Sequence, residues 1–282
     1  MIRRHSLRTR LALLFGLFSL ALVLVLGFAF EQNAARRLHD ARQARLAQAA
    51  EQMAERLDRD MYERLRDVVL LASTDGISSI ARAPATGRAR LDRLQQSFPS
   101  YAWVGVTDAA GTVLSATGGL LEGQDASPRP WFKAALSGPV TLDVHRALML
   151  EPYLGANNGE PVRLLDVAAP VIGPDKEVQG VVAAHLSWSW AGEVQQAVLR
   201  TIASLHEAEI LVLSKSGEVL LGPRNLIGRP IPLGGLGAST NGFDAAFATG
   251  TQDYLSAQAD THGYRTYAGL GWRVVARQPR PA

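Results

Sequence analysis

An arginine fixed between two prolines and followed by two aromatics is a ready-made anion holder. The stretch is Ser127-Pro128-Arg129-Pro130-Trp131-Phe132. Proline locks its own φ and restricts the residue before it, so Arg129 loses less conformational freedom on binding than a mobile arginine would. Its guanidinium is a planar fork that meets a carboxylate with two parallel hydrogen bonds. Trp131 adds an indole N–H and a flat apolar wall. Asp166 stands inside the apolar run RLLDVAAPV, where a carboxylate needs a partner or a pocket. It can receive an ammonium group, so Arg129 and Asp166 together make a clamp for a zwitterion. The opposing possibility is that the two pair internally and Trp131 is plain core. Trp103 is a further candidate for the same pocket. So are Asp143 and His145 of TLDVHRA, which are two apart and fall on one face of a strand. That face is either pocket wall or exposed surface.

Other chemistries find little support. There is no cysteine, which removes disulfides and thiolate metal sites. The six histidines, at 5, 39, 145, 185, 206 and 262, are scattered, with no i, i+4 pair and no zinc-ligand spacing. Neither a Gly-x-Ser-x-Gly elbow nor a P-loop occurs. Gly-Gly-Leu-Gly-Ala-Ser at 234–239 is glycine-rich but lacks a strand-to-helix context. No catalytic residue, metal ligand or cofactor is expected, and the chain is read as non-enzymatic. The formal charge of +3 comes from 29 basic and 26 acidic residues. Arg3, Arg4, Arg8 and Arg10 carry it; without them the chain has 25 basic against 26 acidic residues. No basic stripe with interleaved aromatics is present, so no nucleic-acid partner is expected.

The elements that must position these residues begin with an apolar twenty-mer. Leu11 to Phe30, LALLFGLFSLALVLVLGFAF, has no charge. At ~1.5 Å per residue it spans roughly 30 Å, the thickness of a bilayer's hydrocarbon core. A typical signal peptide is shorter and ends in a small-x-small site, so residues 11–30 are expected to be an uncleaved anchor. The four arginines keep residues 1–10 in the cytoplasm, and the bulk of the chain is then extracytoplasmic, anchored in the inner membrane. Residues 31–73 lack Pro and Gly, and place apolar side chains at 46, 50, 53, 57, 61, 65, 68 and 72. That is an amphipathic helix. It serves either as a dimerising stalk or as a helix packed on its own domain, and the two can hold on successive parts.

After Thr74-Asp75-Gly76 the pattern changes. A short helix from about Ala89 to Ser97 precedes a strand–turn–strand unit over Tyr101–Thr117. A helix to about Leu136 and three further strands follow, in VTLDVHRALML, VRLLDVAAPVI and VQGVVAAHLSW. Gly155, Asn157-Asn158-Gly159 and Gly173-Pro174-Asp175 separate them as turns. Trp190 to Leu205 reads as a connecting helix. AEILVLSKSGEVLLG then repeats the first hairpin, aligning Val212 with Val106, Gly217 with Gly111 and Val219 with Val113. The later strands lie in DYLSAQADT and YRTYAGLGWRVVARQP. The expected class is therefore α+β, with two related antiparallel modules: 74–190, and a smaller one over 191–278 that includes the connecting helix. Residues 279–282 are either a tail before a second membrane span or the end of a single-anchor protein.

Over residues 31 to 280 the chain resembles the double Cache sensor domains of bacterial receptors. The resemblance rests on Val106–Leu114, Arg129-x-Trp131-Phe132-x-x-Ala135, Asp166-x-x-x-Pro170, Gly180-Val181-Val182 and Gly271-Trp272-Arg273-Val274-Val275 with Arg277-Gln278-Pro279. It implies two tandem PAS-like modules, a small ligand in the membrane-distal one, and transmission to a cytoplasmic histidine kinase, diguanylate cyclase or chemotaxis output. It also implies a homodimer through the stalk helix. Related amino-acid binders use Arg-x-Trp-Tyr and a later Asp in the clamp roles. This chain has Phe132 in place of the tyrosine and Gln124 where another tyrosine is expected, so one or two donors to the ligand are missing, each worth ~1 kcal/mol. The expected ligand is a small carboxylate-bearing or amino-acid-like molecule held by Arg129, Trp131, Phe132 and Asp166, with Trp103, Asp143 and His145 lining. The alternative is a membrane-anchored structural or protein-interaction module without a small ligand.

Overall fold

The structure, a computed structural model, describes residues 7–73, 80, 84–147, 149–154, 161–231 and 254–279. The turns expected at Thr74-Asp75-Gly76, Gly155 and Asn157-Asn158-Gly159, and the glycine-rich loop at 234–239, lie outside the described residues. The chain divides into two units, Met1–Arg45 and Leu46–Ala282.

Helix α1 runs Leu7–Ser73, unbroken because no Pro or charged cluster interrupts its apolar first part and helix formers dominate its second. It includes an apolar window of mean hydropathy 2.3, long enough to cross a membrane by length and composition. The apolar side chains there, Leu14 to Phe30, are exposed.

The second unit is built on the C-terminal part of α1. Leu46, Ala50, Met53, Leu57, Met61, Val68 and Ala72 are all buried, and Leu65 packs partly against the same core. The helix-packed-on-its-own-domain reading therefore holds from residue 46 onward. Against this stripe lie the inner faces of two antiparallel sheets. After helix α2 (Pro84–Ser97), the first sheet comprises β1 (Tyr101–Thr107), β2 (Val113–Ala116), β3 (Val140–Arg146), β4 (Arg163–Ile172) and β5 (Val178–Ser187), in the order β2-β1-β5-β4-β3. Helices α3 (Pro130–Ala135) and α4 (Glu151–Leu154) lie within it in sequence. Helix α5 (Ser189–Thr201) leads to the second sheet: β6 (Glu209–Leu213), β7 (Val219–Leu221), β8 (Tyr254–Asp260) and β9 (Arg273–Pro279), in the order β7-β6-β9-β8. One continuous core joins α1 and α5 to Val104, Val106, Val167 and Val182 of the first sheet and to Ile210, Val212 and Val274 of the second. The α+β class and the two antiparallel sheets agree with the expectation from sequence.

The hairpin repeat is present atom by atom. Asp108 N–H donates to Thr112 O and Gly111 N–H to Asp108 O; in the second sheet Ser214 N–H donates to Glu218 O and Gly217 N–H to Ser214 O. Gly111 and Gly217 sit at φ 96° and 90°, a region costly for any residue with a Cβ. This shared demand is why the two glycines align.

The opposite face of the first sheet carries a second cluster, with Trp103, Trp131, Phe132, Leu164 and Ala183 among its members. Helix α3 closes over this face.

Candidate functional site

Register builds the site. Across the first sheet Trp103 pairs with His185, His185 with Asp166, and Asp166 with Leu142. Cross-strand partners point to the same side, so one row of four side chains crosses the floor beneath α3. Between Leu142 and His145 the register slips: three steps on β3 match the two steps from Asp166 to Leu164 on β4. This bulge returns His145 to the same face as Leu142.

The result is a cavity of about 320 Å³, in the size range of small-molecule sites. Trp103, Trp131, Leu142 and Leu164 supply apolar wall, and Gln124, Arg129, His145, Asp166 and His185 supply polar groups. Arg129 stands at the N-cap of α3 with φ −71° and ψ 138°, extended as the following Pro130 favours. Among the described residues its guanidinium has no carboxylate partner.

Asp166 is buried. Its Oδ1 is 2.8 Å from His145 Nε2 and 2.5 Å from His185 Nδ1. Burial by itself would push this carboxyl up. The hydrogen bonds and charges of His145 and His185 outweigh that and bring it down to about 2. Reciprocally, the hydrogen bond to Asp166 raises His145 above the usual histidine value, despite the opposing effects of burial and of nearby Arg129. His145 Nδ1 lies 3.0 Å from the Arg146 carbonyl, which can only accept, so Nδ1 carries a proton. The His185 ring stacks on Trp103, centroids 5.0 Å apart and planes 28° from parallel. The Trp103 indole N–H donates to Leu120 O at 3.0 Å. The donor atoms of His145, Asp166 and His185 all lie within 4.8 Å of one another, a set of two imidazoles and a carboxylate that can hold a metal ion.

No family model matches the chain, and no curated protein matches it. Solved structures do. The ligand-binding domain of the Pseudomonas aeruginosa PAO1 amino acid chemoreceptor PctC, in complex with GABA, is 18% identical with a TM-score of 0.57. The match covers 82% of this chain and 97% of that one. The ligand-binding domain of the Pseudomonas fluorescens chemoreceptor CtaA, in complex with L-leucine, is 15% identical with a TM-score of 0.59, over 87% and 97%. The sensor domain of the Vibrio cholerae histidine kinase DctB is 14% identical with a TM-score of 0.56, over 88% and 99%. The chain has the double Cache fold.

Within this double Cache fold, the structure brings Arg129, Trp131, Asp166, Trp103 and His145 to one cavity. An internal Arg129–Asp166 pair is not formed; the two histidines contact Asp166 through its Oδ1 instead. Trp131 is both wall and core. Two residues are placed elsewhere. Phe132 is buried behind Trp131, ring edge toward ring face at 6.0 Å, and does not line the cavity; successive residues of a helix point about 100° apart. Asp143 and His145 do not share a face, because the bulge inserts a residue between them. Asp143 turns to the other side of β3 and accepts a 2.8 Å hydrogen bond from the Trp272 indole N–H, on the loop before β9. His185 carries no mark in the sequence, where it reads as one polar residue in a core strand. Nor do the histidines stay scattered: 145 and 185 meet through strand register. Gln124, the departure from the tyrosine pattern, does line the cavity.

Proposed function

We propose that the chain is the extracytoplasmic ligand-sensing part of a membrane-bound signal transducer, non-enzymatic, and that the cavity under α3 takes a small molecule bearing a carboxylate. The observation that carries this reading is Arg129: a guanidinium at a cavity wall without a carboxylate partner among the described residues, beside an Asp166 already hydrogen-bonded to two histidines. A cavity polar on that side favours an anion, and its aromatic walls accept an apolar remainder. Phe132 supports the wall from behind. An amino acid binds if its ammonium displaces the histidines from Asp166. A plain carboxylate needs no such exchange and is the favoured class. The GABA and L-leucine complexes of structural neighbours fit ligands of this size.

In this reading residues 11–30 anchor the protein in the inner membrane with residues 1–10 in the cytoplasm. Residues 31–73 form the stalk helix, and its part before residue 46, which is not buried in the chain's own core, pairs in a homodimer. Residues 74–190 are the membrane-distal, ligand-binding module. Residues 191–278 are the membrane-proximal one, and 279–282 lead toward a second span. The output is a histidine kinase, diguanylate cyclase or chemoreceptor. The hydrogen bond from Trp272 to Asp143 gives the route out of the distal module: the strand whose one face holds His145 is gripped on its other face by the proximal module.

The test is a thermal-shift screen of the full chain in detergent against organic and amino acids. A true ligand at one hundred times Kd adds roughly 2.7 kcal/mol of stability, and Arg129→Ala abolishes the shift. If no carboxylate raises the melting temperature, or if the shift survives Arg129→Ala, the reading fails.

A further inference from the structure

We propose that His145, Asp166 and His185 form a binding site for a divalent first-row transition metal of the zinc type, with one coordination position open to the cavity. This goes beyond the carboxylate reading and does not depend on it.

The tautomer of His145 is fixed by its backbone partner. His145 Nδ1–H is spent on the Arg146 carbonyl, so the free position of a neutral ring is the lone pair on Nε2. That lone pair faces Asp166 Oδ1 at 2.8 Å. Two acceptors at this distance repel unless a positive charge lies between them, either a proton or a metal ion. A backbone carbonyl taking the distal N–H is also the usual outer-shell device that fixes a metal-binding histidine in its tautomer and orientation.

The three donor groups also converge. His185 Nδ1 reaches the same Oδ1 from the other side at 2.5 Å, and all three donor atoms lie within 4.8 Å of one another. In a tetrahedral site with bonds of ~2.1 Å, ligand atoms stand about 3.4 Å apart. The two contacts to Asp166 therefore need to open by less than about 1 Å for a metal to replace their protons. His145 can give this way, since it is exposed and sits at the end of a bulge. His185 is held by its stack on Trp103 and supplies the rigid side.

The donor types select the class of metal. Two imidazoles and one carboxylate suit Zn²⁺, Co²⁺, Ni²⁺ or Cu²⁺ and not Mg²⁺ or Ca²⁺, which take oxygen ligands. Three protein donors leave a fourth position free, and because all three residues line the cavity, that position is offered to whatever enters it.

The experiment uses the full chain in detergent, stripped with a chelator, and metal alone as the probe. Co²⁺ is titrated near neutral pH and followed by its visible d–d absorption; Zn²⁺ is then added in competition. The expected result is one saturable Co²⁺ site displaced by Zn²⁺. His145→Ala and Asp166→Asn should each weaken it by more than ~10-fold, the least that even an outer-shell partner costs. Arg129→Ala should leave it intact, which separates this site from the carboxylate reading. His145→Ala is the deciding variant, because its side chain is exposed and its loss leaves no core cavity. Absence of saturable binding overturns the proposal and leaves a hydrogen-bonded triad only. Binding that His145→Ala weakens less than ~10-fold overturns it too, since the metal then sits elsewhere.

Discussion

In the first sheet the row across β1, β5 and β4 reads Trp103, His185, Asp166; in the second, the matching row across β6, β9 and β8 reads Glu209, Arg277, Ser256. The match follows from the hairpin repeat and the strand pairings: Val106 pairs with Val182 where Val212 pairs with Val274. Around these rows the sheets are alike. Val113 and Val219, and Ala183 and Val275, fill equivalent apolar places on the same face. The polar chemistry is opposite. Arg277 is buried, and its guanidinium meets Glu209 Oε2 at 2.7 and 2.8 Å and lies 4.2 Å over the Tyr254 ring. Arg129, by contrast, has no carboxylate partner among the described residues. The same scaffold therefore carries an arginine at a cavity wall in one module and, in the other, an arginine paired with a carboxylate of its own sheet, its Nη1 buried without a hydrogen-bond partner. The four-stranded sheet has no counterpart of β3 among the described residues, and β3 is the strand that brings His145.

The largest break in this comparison is Glu209→Ala. It leaves Arg277 buried without its carboxylate, and stranding one partner of a buried pair typically costs 3–5 kcal/mol. About a third of the Glu209 side chain is exposed, which places the expected loss near ~3 kcal/mol, the lower end of that range. Urea unfolding of the variant reads it directly. A loss comparable with a surface pair, under ~1 kcal/mol, would mean that the second sheet is not held by this pair and that the contrast with the first is superficial.

Gly105→Ala is the next test. A Cβ at Gly105 would stand 2.1 and 2.2 Å from atoms of the Trp103 indole. The matching position in the second sheet is Leu211, a residue that fills the space an indole takes in the first. Alanine would drive Trp103 off its place beside His185, at a cost of roughly 1–3 kcal/mol for overpacking, and into the cavity. The near-UV circular dichroism of the stacked ring should fall and ligand binding should be lost together. Retention of both would show that the glycine does not set the shape of the site.

Much of this architecture is legible in the sequence because it depends on local demands. Gly111 and Gly217 announce their turns, the spacing from Leu46 to Ala72 announces a helix with one buried face, and Pro128 and Pro130 announce a fixed Arg129. The centre of the site is different in kind. His185 and Asp166 are 19 residues apart and meet only because the β4–β5 turn, with Gly173 N–H donating to Glu177 O, sets their strands in register. His145 faces them only because a bulge adds one residue to β3. Strand periodicity carries no mark of a bulge, so Asp143 and His145 are assigned one face when they occupy two. Phe132 is misplaced for a related reason: a short motif shows which residues adjoin but not which way each turns.

The smallest effect concerns the two hairpins' response to acid. In the first module Glu122 accepts from Arg88 Nε at 3.0 Å and from the Ala116 N–H at 3.0 Å, closing the loop after β2 onto α2. The hydrogen bond from Arg88 holds Glu122 below the ordinary glutamate value, more than its partial burial raises it. In the second module the equivalent loop place is Ile227, one residue before Gly228 as Glu122 is one before Gly123. These two glycines donate equivalent bonds, to Val219 O and Val113 O. A carboxyl whose folded value is depressed stabilises the fold above its unfolded value and loses that contribution as the pH falls through the folded one. Acidification below the ordinary glutamate value should therefore loosen the first hairpin and leave the second unchanged. The pair is on the surface, so the change is modest and screened by salt. The protection of the Ala116 and Gly123 amides against hydrogen exchange, taken relative to the intrinsic rate at each pH, should fall on acidification, while that of Gly228 stays constant. Glu122→Gln should remove the difference, and an equal response from both loops would refute the assignment of acid sensitivity to the Arg88–Glu122 clamp.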